Sequence, residues 1–565
     1  MKKMPIVGID LGTTNSLISY WKEDRSVIIP NAFGGTMTPS VVGLDDNGEI
    51  LVGGIAKERL LTYPERTVSG FKRFMGSNKS IVLGDRGFLP EELSSLVIRS
   101  LVGDAEACLG QRIEEAVISV PAYFSDAQRK ATKRAGELAG LRVERIINEP
   151  TAAATAYGLH QKESETKFLV LDLGGGTFDV SIIEFFENVL EVRAIAGDNR
   201  LGGEDFTDCL AASFMEIHGI AGFGPGTREY AHIRKQAEIG KRVLSSNSHS
   251  SIQCLIGGNS YGFEIDIEHF TKISQPLLKR LRHPIERALK DSGLRPDDLD
   301  EIIMVGGASR MPVVHSLVKG MFGRDPSYHL NPDEVVASGA GIQAALKGRD
   351  EFLKEVILTD VCPYSLGTDI AVGDKSGFFS PIIERNTVIP VSRVERYYTA
   401  DDNQTSIPVG IYQGEARLVK NNICLGELSV DVPPAPAGEQ TVDVRFTYDI
   451  NGILEVEVMV VETGAKKRMI LEESPGSMSR EEIERRLASL ADLKIHPRDK
   501  QENRMLLVRG ERMYEESLGV ERDQVAEIIR EFEIVLERQN PREIAKAAKE
   551  CGEKLDELDR WSGLY

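Results

Sequence analysis

The period of apolar positions changes twice along the chain. Up to about residue 350, short aliphatic runs alternate with stretches whose apolar residues recur every three or four positions. That is the pattern of buried strands and amphipathic helices in α/β layers. Pro5–Ile9, Ala116–Val120 and Lys167–Leu171 read as strands. Pro121 closes the second of these, and Ser125 is placed to cap a helix over Asp126–Ala139, with Gly140 where a helix C′ residue is expected. Another helix opens at Pro150, proline being welcome in a first turn. Glu355–Asp360 is a short apolar segment, and beyond it the period becomes two. Gln440–Tyr448 and Ile453–Val461 predict strands joined through the hairpin signal Asn451-Gly452. From Ser474-Pro475-Gly476 the pattern turns helical, with capping-box spacing at Ser479–Glu482 and interruptions near Pro497, Gly519 and Pro541.

Composition narrows the class. A chain of 565 residues exceeds one core, while 41% hydrophobic and 27% charged residues are ordinary for a globular protein. The net charge of −19 disfavours nonspecific nucleic-acid binding and an anionic membrane surface. No apolar run approaches the roughly 18 residues that span a bilayer. The N-terminus runs into a strand without an apolar signal core. The six cysteines (Cys108, Cys209, Cys254, Cys362, Cys424, Cys551) are scattered without a C-x-x-C pair, so they are expected to be small buried hydrophobes in a reducing compartment and to hold no zinc. Together these features predict a cytoplasmic protein.

One phrase occurs twice. Gly8-Ile9-Asp10-Leu11-Gly12-Thr13-Thr14-Asn15-Ser16 is echoed by Leu171-Asp172-Leu173-Gly174-Gly175-Gly176-Thr177-Phe178-Asp179. Each places an Asp at a strand end and turns on glycines into Thr or Ser. Without a Cβ, such a turn can aim backbone N–H groups at an anion. A single turn of this kind is common, whereas a matched pair suggests two similar lobes gripping a polyphosphate, with the carboxylates holding a divalent metal through water. Neither copy is a Walker loop, because G-x-x-x-x-G-K-[ST] is absent from both.

The order of these features resembles the heat-shock protein 70 (DnaK-type) chaperone family. The matching phrases are GIDLGTTNS at 8–16, VPAYFSDAQRKAT at 120–132, INEPTAAATAYG at 147–158, DLGGGTFDVSIIE at 172–184, LGGEDF at 201–206, VGGASRMP at 305–312 and NPDEVVASGA at 331–340. The resemblance implies a two-lobed actin-like α/β ATPase domain over 1–353, a linker at 354–361, a β-sandwich peptide-binding domain over 362–474 and a helical lid over 475–565. It implies ATP hydrolysis coupled to the binding and release of unfolded polypeptide, with ATP/ADP, Mg²⁺ and a further K⁺ as ligands. Asp10, Asp172 and Asp179 would hold the metal through water. Lys72 would orient the γ-phosphate and attacking water, Glu149 would order that water, and Thr13 and Thr177 would offer hydroxyls. Gly12, Thr14, Asn15, Gly174, Gly175 and Gly176 complete the phosphate loops. Gly202, Gly203, Glu204, Glu238, Lys241, Ser245, Gly306, Gly307 and Arg310 would surround adenosine.

By the same resemblance Tyr397, Ile407 and Val409 line a peptide pocket arched over by Ala371 and Ala400. Core packing is the better reading of Ile407 and Val409 taken alone. Pro121, Arg129, Arg145, Asn148 and Asp360 correspond to the family's allosteric and J-domain contacts, while the need for a nucleotide-exchange factor stays open. Several positions depart from the family pattern. Ala371 replaces a bulky arch residue, Ile407 a Val, and Ala437 an Arg that latches the lid. Asn451 replaces an acid that docks on Arg145, and Thr359 interrupts an aliphatic linker. These changes resemble the specialised HscC-like branch and imply a loose grip on few clients. Two other readings are a metabolite kinase of the same superfamily, which leaves the β unit unexplained, and a nucleotide-binding scaffold, which would be expected to lack Lys72 or Asp10.

Overall fold

A computed structural model of the chain describes residues 5–158, 165–186, 189–224, 227–328, 330–348, 357–373, 375–449, 452–471 and 494–562. Asn451, Ser479–Glu482 and the first residues of the expected linker lie outside the described residues. The chain divides into two units, Met1–Tyr364 with Arg385–Ile389, and Ser365–Glu384 with Pro390–Tyr565.

The first unit is built on two mixed sheets of similar plan. In one, Ile6–Asp10 pairs in parallel with Glu115–Val120 and antiparallel with Asn15–Lys22; Arg142–Asn148 and Arg25–Ile28 extend the two sides. In the other, Thr166–Leu173 pairs in parallel with Glu301–Val305 and antiparallel with Phe178–Phe186, followed by Val189–Asp198. Each copy of the repeated phrase therefore starts on an interior strand, buried on both faces. That is why these strands read as continuous apolar runs without alternation. Helices cover both sheets: Val335–Lys347 lies on the first, and it crosses Glu149–Gly158 so closely that a Cβ on Gly339 would stand 1.8 Å from the Ala152 carbonyl oxygen. The apolar segment before Asp360 forms a strand, Ile357–Val361, which adds in parallel to Val189–Glu191 at the edge of the second sheet. Val388–Ile389 pairs antiparallel with its end.

The second unit contains two four-stranded antiparallel sheets. Their orders are Lys375–Ile383, Leu366–Val372, Ser406–Gln413, Ile423–Asp431 and Val391–Tyr398, Thr441–Tyr448, Leu454–Val460, Lys466–Leu471. Phe446, Val444, Val456 and Ile411 are among their buried side chains. Among the described residues three helices follow, Gln501–Glu516, Gly519–Glu537 and Pro541–Ser562, packed around Val525, Phe532, Leu536 and Leu555.

Several local expectations shift by a residue or two. The first strand starts at Ile6 and not Pro5, and the helix expected at Pro150 starts at Glu149, still with proline in its first turn. Gln128 Oε1 accepts from the Ser125 N–H at 3.0 Å at the start of Asp126–Leu138, and Gly140 follows with φ 94°. The break near Gly519 falls at Ser517–Leu518, and Gly519 opens the next helix. The cysteine expectation needs correction: Cys254, Cys362 and Cys551 are buried, but Cys108 and Cys424 are exposed and Cys209 is half-buried. Among the described residues no three His, Cys, Asp or Glu side chains stand together as a direct metal site.

Candidate functional site

Four acidic side chains are gathered where the two sheets of the first unit present the ends of their central strands. Asp10 ends Ile6–Asp10, and the parallel register sets it beside Ser119, whose hydroxyl donates to Asp10 Oδ1 at 2.8 Å. Asp172 and Asp179 face each other directly across the hairpin of the second sheet. The Tyr123 N–H donates to Asp179 Oδ1 at 2.9 Å, while Asp179 Oδ2 is buried without a partner. Glu149 begins a helix and accepts from Lys72 Nζ at 2.7 Å. Lys72 sits on the short turn Phe71–Phe74, 3% exposed, with its ammonium 5.5 Å from the centre of the Phe124 ring.

The electrostatics of this cluster are unbalanced. Burial, and then the charge of Glu149, push Asp10 and Asp179 up to about 7, against the pull of Lys72. Asp172 is raised well above the usual carboxylate range by burial and by Glu149, Asp179 and Asp10. Buried like charges disfavour one another's ionised forms. A cation or a donor-rich ligand placed among them would reverse that sign.

The two glycine turns meet beside this cluster. Ser16 and Ser40 brace the first, Ser16 Oγ accepting from the Gly12 N–H at 3.1 Å and Ser40 Oγ donating to the Gly12 carbonyl at 2.7 Å. In the second, the Gly174 N–H donates to the Thr177 carbonyl at 3.1 Å. A Cβ on Gly175 would lie 1.8 Å from Thr14 Oγ1, so this close approach requires glycine. Thr13 and Thr177 are both buried, and Asn15 opens the strand that leaves the first turn. The Gly203 and Glu204 N–H groups donate to the Gly174 and Gly175 carbonyls at 2.9 Å each, which attaches Gly202–Glu204 to the second turn.

The residues expected around adenosine lie next to these turns. Lys241 Nζ donates to the Gly203 carbonyl at 2.7 Å and to Thr207 Oγ1 at 2.8 Å. Burial opposes ionisation of Glu238, but Lys241, Thr207 and Arg242 together hold it down to about 2. Ser245 caps the end of the same helix, Arg228–Leu244. Ala308 packs against Gly203, bringing the turn Gly306–Arg310 to this place. Arg310 donates to Asn331 Oδ1 at 3.0 Å and Asp333 Oδ2 at 2.9 Å, with about half of its side chain exposed.

A second polar group surrounds the strand Ile357–Val361. Arg129 Nη2 donates to Asn148 Oδ1 at 2.6 Å, and Asn148 Nδ2 donates to Asp360 Oδ2 at 2.7 Å. Burial raises Asp360, opposed by Arg129 and then by Arg145, and burial lowers Arg145. Pro121 accepts from the Phe124 N–H at 3.1 Å in the turn that also holds Arg129. The residues expected to line a peptide pocket belong to the second unit; Tyr397 lies on one of its sheets, Ala371, Ile407 and Val409 on the other, and Ala400 between strands. Val409 is a buried core side chain, Ile407 is half-buried, and Ala371 and Ala400 are exposed. Tyr397 Oη shares a hydrogen bond with Ser380 Oγ of the other sheet at 3.0 Å.

The Hsp70 protein family's model matches residues 6–86 and 78–561. The chain belongs to the Hsp70 family. It is 44% identical over 499 residues to the chaperone protein DnaK of Thermotoga petrophila, covering 86% of this chain and 83% of that protein. It is also 44% identical over 484 residues to the chaperone protein DnaK of Thermosipho africanus, covering 83% of this chain and 80% of that protein. It is an ATP-dependent molecular chaperone that hydrolyses ATP, as members of the family do. Hsp70 proteins bind ATP or ADP with Mg²⁺, unfolded clients and J-domain co-chaperones. Among the described residues no helix is long and apolar enough to cross a membrane.

Around the Hsp70 site several residues escape a reading of the sequence. Ser119 holds Asp10, Tyr123 holds Asp179, and Arg73 pairs with Asp205 and reaches the Gly175 carbonyl at 3.5 Å. Arg234 bonds Asp208 at 2.7 Å and Glu204 at 3.4 Å. Each works through a neighbour distant in sequence, so only the strand register or the loop packing reveals it. Arg73 alone carried a signal, standing beside Lys72 in a short basic turn.

The unbalanced charge has a measurable consequence. Asp179→Asn keeps an acceptor for the Tyr123 N–H and removes a buried charge. The nucleotide-free protein should therefore unfold at a higher temperature at pH 8, while losing ATP turnover. The folded-state value near 7 exceeds the unfolded value, so ionised Asp179 costs most above pH 7. The stability gain of the Asn variant should shrink as pH falls from 7 towards 4. Calorimetry across that range checks it; a gain that grows on acidification would refute the assignment of charge.

Proposed function

We propose that residues 1–353 form a two-lobed, actin-like ATPase domain whose repeated turns clamp the phosphates of ATP, and that 354–361 link it to a β-sandwich client site at 362–474 with a helical lid at 475–565. The observation that carries this reading is the buried Lys72–Glu149 pair set among Asp10, Asp172 and Asp179 where both glycine turns converge. The donor set fits Mg²⁺: Asp179 Oδ2 is buried and unpartnered, and the carboxylates are raised in a way that a cation would relieve. No direct three-ligand cluster is present among the described residues, which favours contact through water, as suits a small hard cation reluctant to dehydrate. When bound, that ion would neutralise charge on the β- and γ-phosphate oxygens. K⁺ is a further candidate for the same acidic pocket.

The chain's own groups then divide the work. Thr13 and Thr177 donate hydroxyls to the phosphates, and the backbone of Gly12, Thr14, Asn15 and Gly174–Gly176 fits closely around them. Glu149 accepts from the attacking water, and Lys72, anchored by Glu149, directs its ammonium at the γ-phosphate. Preorganised donors of this kind stabilise charge as it spreads in phosphoryl transfer. Gly202–Glu204, Glu238, Lys241, Ser245, Gly306, Gly307 and Arg310 form the adenosine side, with the Arg310 guanidinium stacking on the base. Arg145, Asn148 and Asp360, together with Pro121 and Arg129, receive a J-domain partner and relay its binding. In the client site, Tyr397, Ile407 and Val409 form the pocket under Ala371 and Ala400. The peptide is held by main-chain hydrogen bonds as an added strand is. The cytoplasm suits the scattered cysteines, and the HscC-like departures favour few clients.

Lys72→Ala should cut single-turnover ATP hydrolysis by about 10²-fold or more while leaving ADP binding near wild type, since the γ-phosphate is the only part of the nucleotide that Lys72 is proposed to meet. Hydrolysis at the wild-type rate would remove Lys72 from the mechanism. Asp360→Asn should abolish J-domain stimulation and spare the basal rate, because the buried carboxylate that Arg129 and Arg145 attract loses its charge; undiminished stimulation would place the partner elsewhere. Ala437→Arg should slow peptide release in ADP on the order of tenfold if the latch is missing in the natural chain. Equal release rates would show that it is not needed.

A further inference from the structure

Tyr364 has no place in the reading above, yet it is tied to the phosphate site by an unbroken set of contacts. It lies three residues beyond the strand Ile357–Val361, within the first unit. Its hydroxyl donates to the Tyr123 carbonyl at 2.9 Å, and the two rings stack with centres 4.6 Å apart at 38°. Tyr123 is the residue whose N–H holds Asp179 Oδ1. The Tyr123 hydroxyl accepts from Arg287 Nη1 at 2.8 Å, and Asn199 Nδ2 donates to the same Tyr123 carbonyl at 2.7 Å. The N–H and C=O of one residue are separated by two soft dihedrals. With both ends bonded and the ring stacked, those dihedrals are fixed, and with them the direction of the N–H at Asp179. The segment around Tyr123 is a tight turn into Asp126–Leu138, in which the Phe124 N–H donates to the Pro121 carbonyl and Arg129 to the Ala122 and Phe124 carbonyls, so the neighbouring backbone is held independently of Tyr364.

The geometry points to Tyr364 as a positioning residue for ATP hydrolysis, one that makes the seating of Ile357–Val361 felt at Asp179 through the backbone of Tyr123. It acts only through Tyr123, and it rests on the reading of Asp179 as part of the phosphate site. Because Tyr364 follows the strand directly, release of that strand from the sheet edge carries the tyrosine away from Tyr123. Coupling of this kind is reciprocal in binding: occupation of the phosphate site should in turn alter how firmly Ile357–Val361 is held.

The full chain tests this with Tyr364→Phe, which keeps the stacked ring and deletes the hydroxyl, and Tyr364→Leu, which deletes both. Asn199 still holds the Tyr123 carbonyl, so Tyr364→Phe should slow single-turnover hydrolysis by about three- to tenfold with ATP affinity unchanged. Tyr364→Leu should slow it further. Amide hydrogen exchange of Ile357–Val361 should change on ADP binding in the wild type and change less in both variants. Adding Tyr364→Phe to Asp179→Ala, which removes the acceptor of the Tyr123 N–H, should cause no further slowing of the residual rate. A wild-type rate and exchange response in both variants, with Asp179→Asn impaired, overturns the role of Tyr364 alone. Equal slowing on top of Asp179→Ala does the same, since the effect would not pass through Asp179. A wild-type rate in Asp179→Asn overturns the phosphate-site reading and this one with it.

Discussion

Asp10, Asp172, Asp179 and Glu149 repel one another in a buried place, with Lys72 paired to Glu149 and pulling against that repulsion. In a low-dielectric interior such repulsion is felt more strongly than at the surface, and the cluster persists only because the strands carrying it are fixed elsewhere. Val7, Ile9, Val117, Ile118, Leu169, Val170 and Leu171 are all fully or nearly fully buried in the two sheets that hold these carboxylates. The apolar interior thus supplies the stability that the acidic cluster consumes. On the proposed reading, the cation bound with a nucleotide would offset part of the repulsion, and its binding would favour the folded state.

That constraint explains why the polar neighbours are so specific. Ser119 and the Tyr123 N–H each donate to a carboxylate and favour its ionised form, which keeps Asp10 and Asp179 from becoming plainly neutral acids. Both donors lie on one continuous stretch, the strand Glu115–Val120 and the turn after it. Arg129, in the helix that follows, donates to the Ala122 carbonyl of that turn and to Asn148, and Asn148 in turn binds Asp360. A single segment therefore touches the acidic cluster at one end and the residues around Ile357–Val361 at the other. Rigid connection through paired backbone needs no long chain of side chains.

How much of this could be read from the chain depends on the range of the interaction. The repeated phrases showed the two turns because strand, Asp and glycine are local in sequence and each has a local physical cause. The change of period near residue 360 and the helical pattern beyond 475 reflect burial on one face, which is also local. The register that sets Asp10 beside Ser119, or Asp172 opposite Asp179, depends on which strands pair, and alternation alone does not choose a partner. Roles for Lys72 and Arg310 came from resemblance; by itself Lys72 reads as a solvated charge, and its 3% exposure is the outcome of packing against Phe124 and Glu149. Cys108 and Cys424 were misread because the expectation rested on residue type, whereas exposure is decided by neighbours.

The second unit bears on the missing latch. Ala437 offers no side chain to hold a lid, and its N–H is already bound to Asp402 Oδ1 at 2.9 Å. The helical part is nevertheless tied to the sheet at other points. Lys494 pairs with Glu455 at 2.7 Å and Glu457 at 2.8 Å, and Glu455, 1% exposed, also pairs with Arg468. Gln539 Nε2 donates to the Val394 carbonyl at 2.9 Å and thereby meets the free edge of the strand Val391–Tyr398. An unpaired strand edge left exposed invites pairing with another chain, so this amide protects the edge as well as fixing the helix pair that carries it. These contacts anchor the turn between the last two helices and the segment at Lys494, and neither anchor involves Ala371, Ala400 or the Ala437 loop. On the proposed reading of this unit, loss of the family's latch would loosen a cover at the client side while the Gln539 and Lys494 contacts keep the last helices on the sheet.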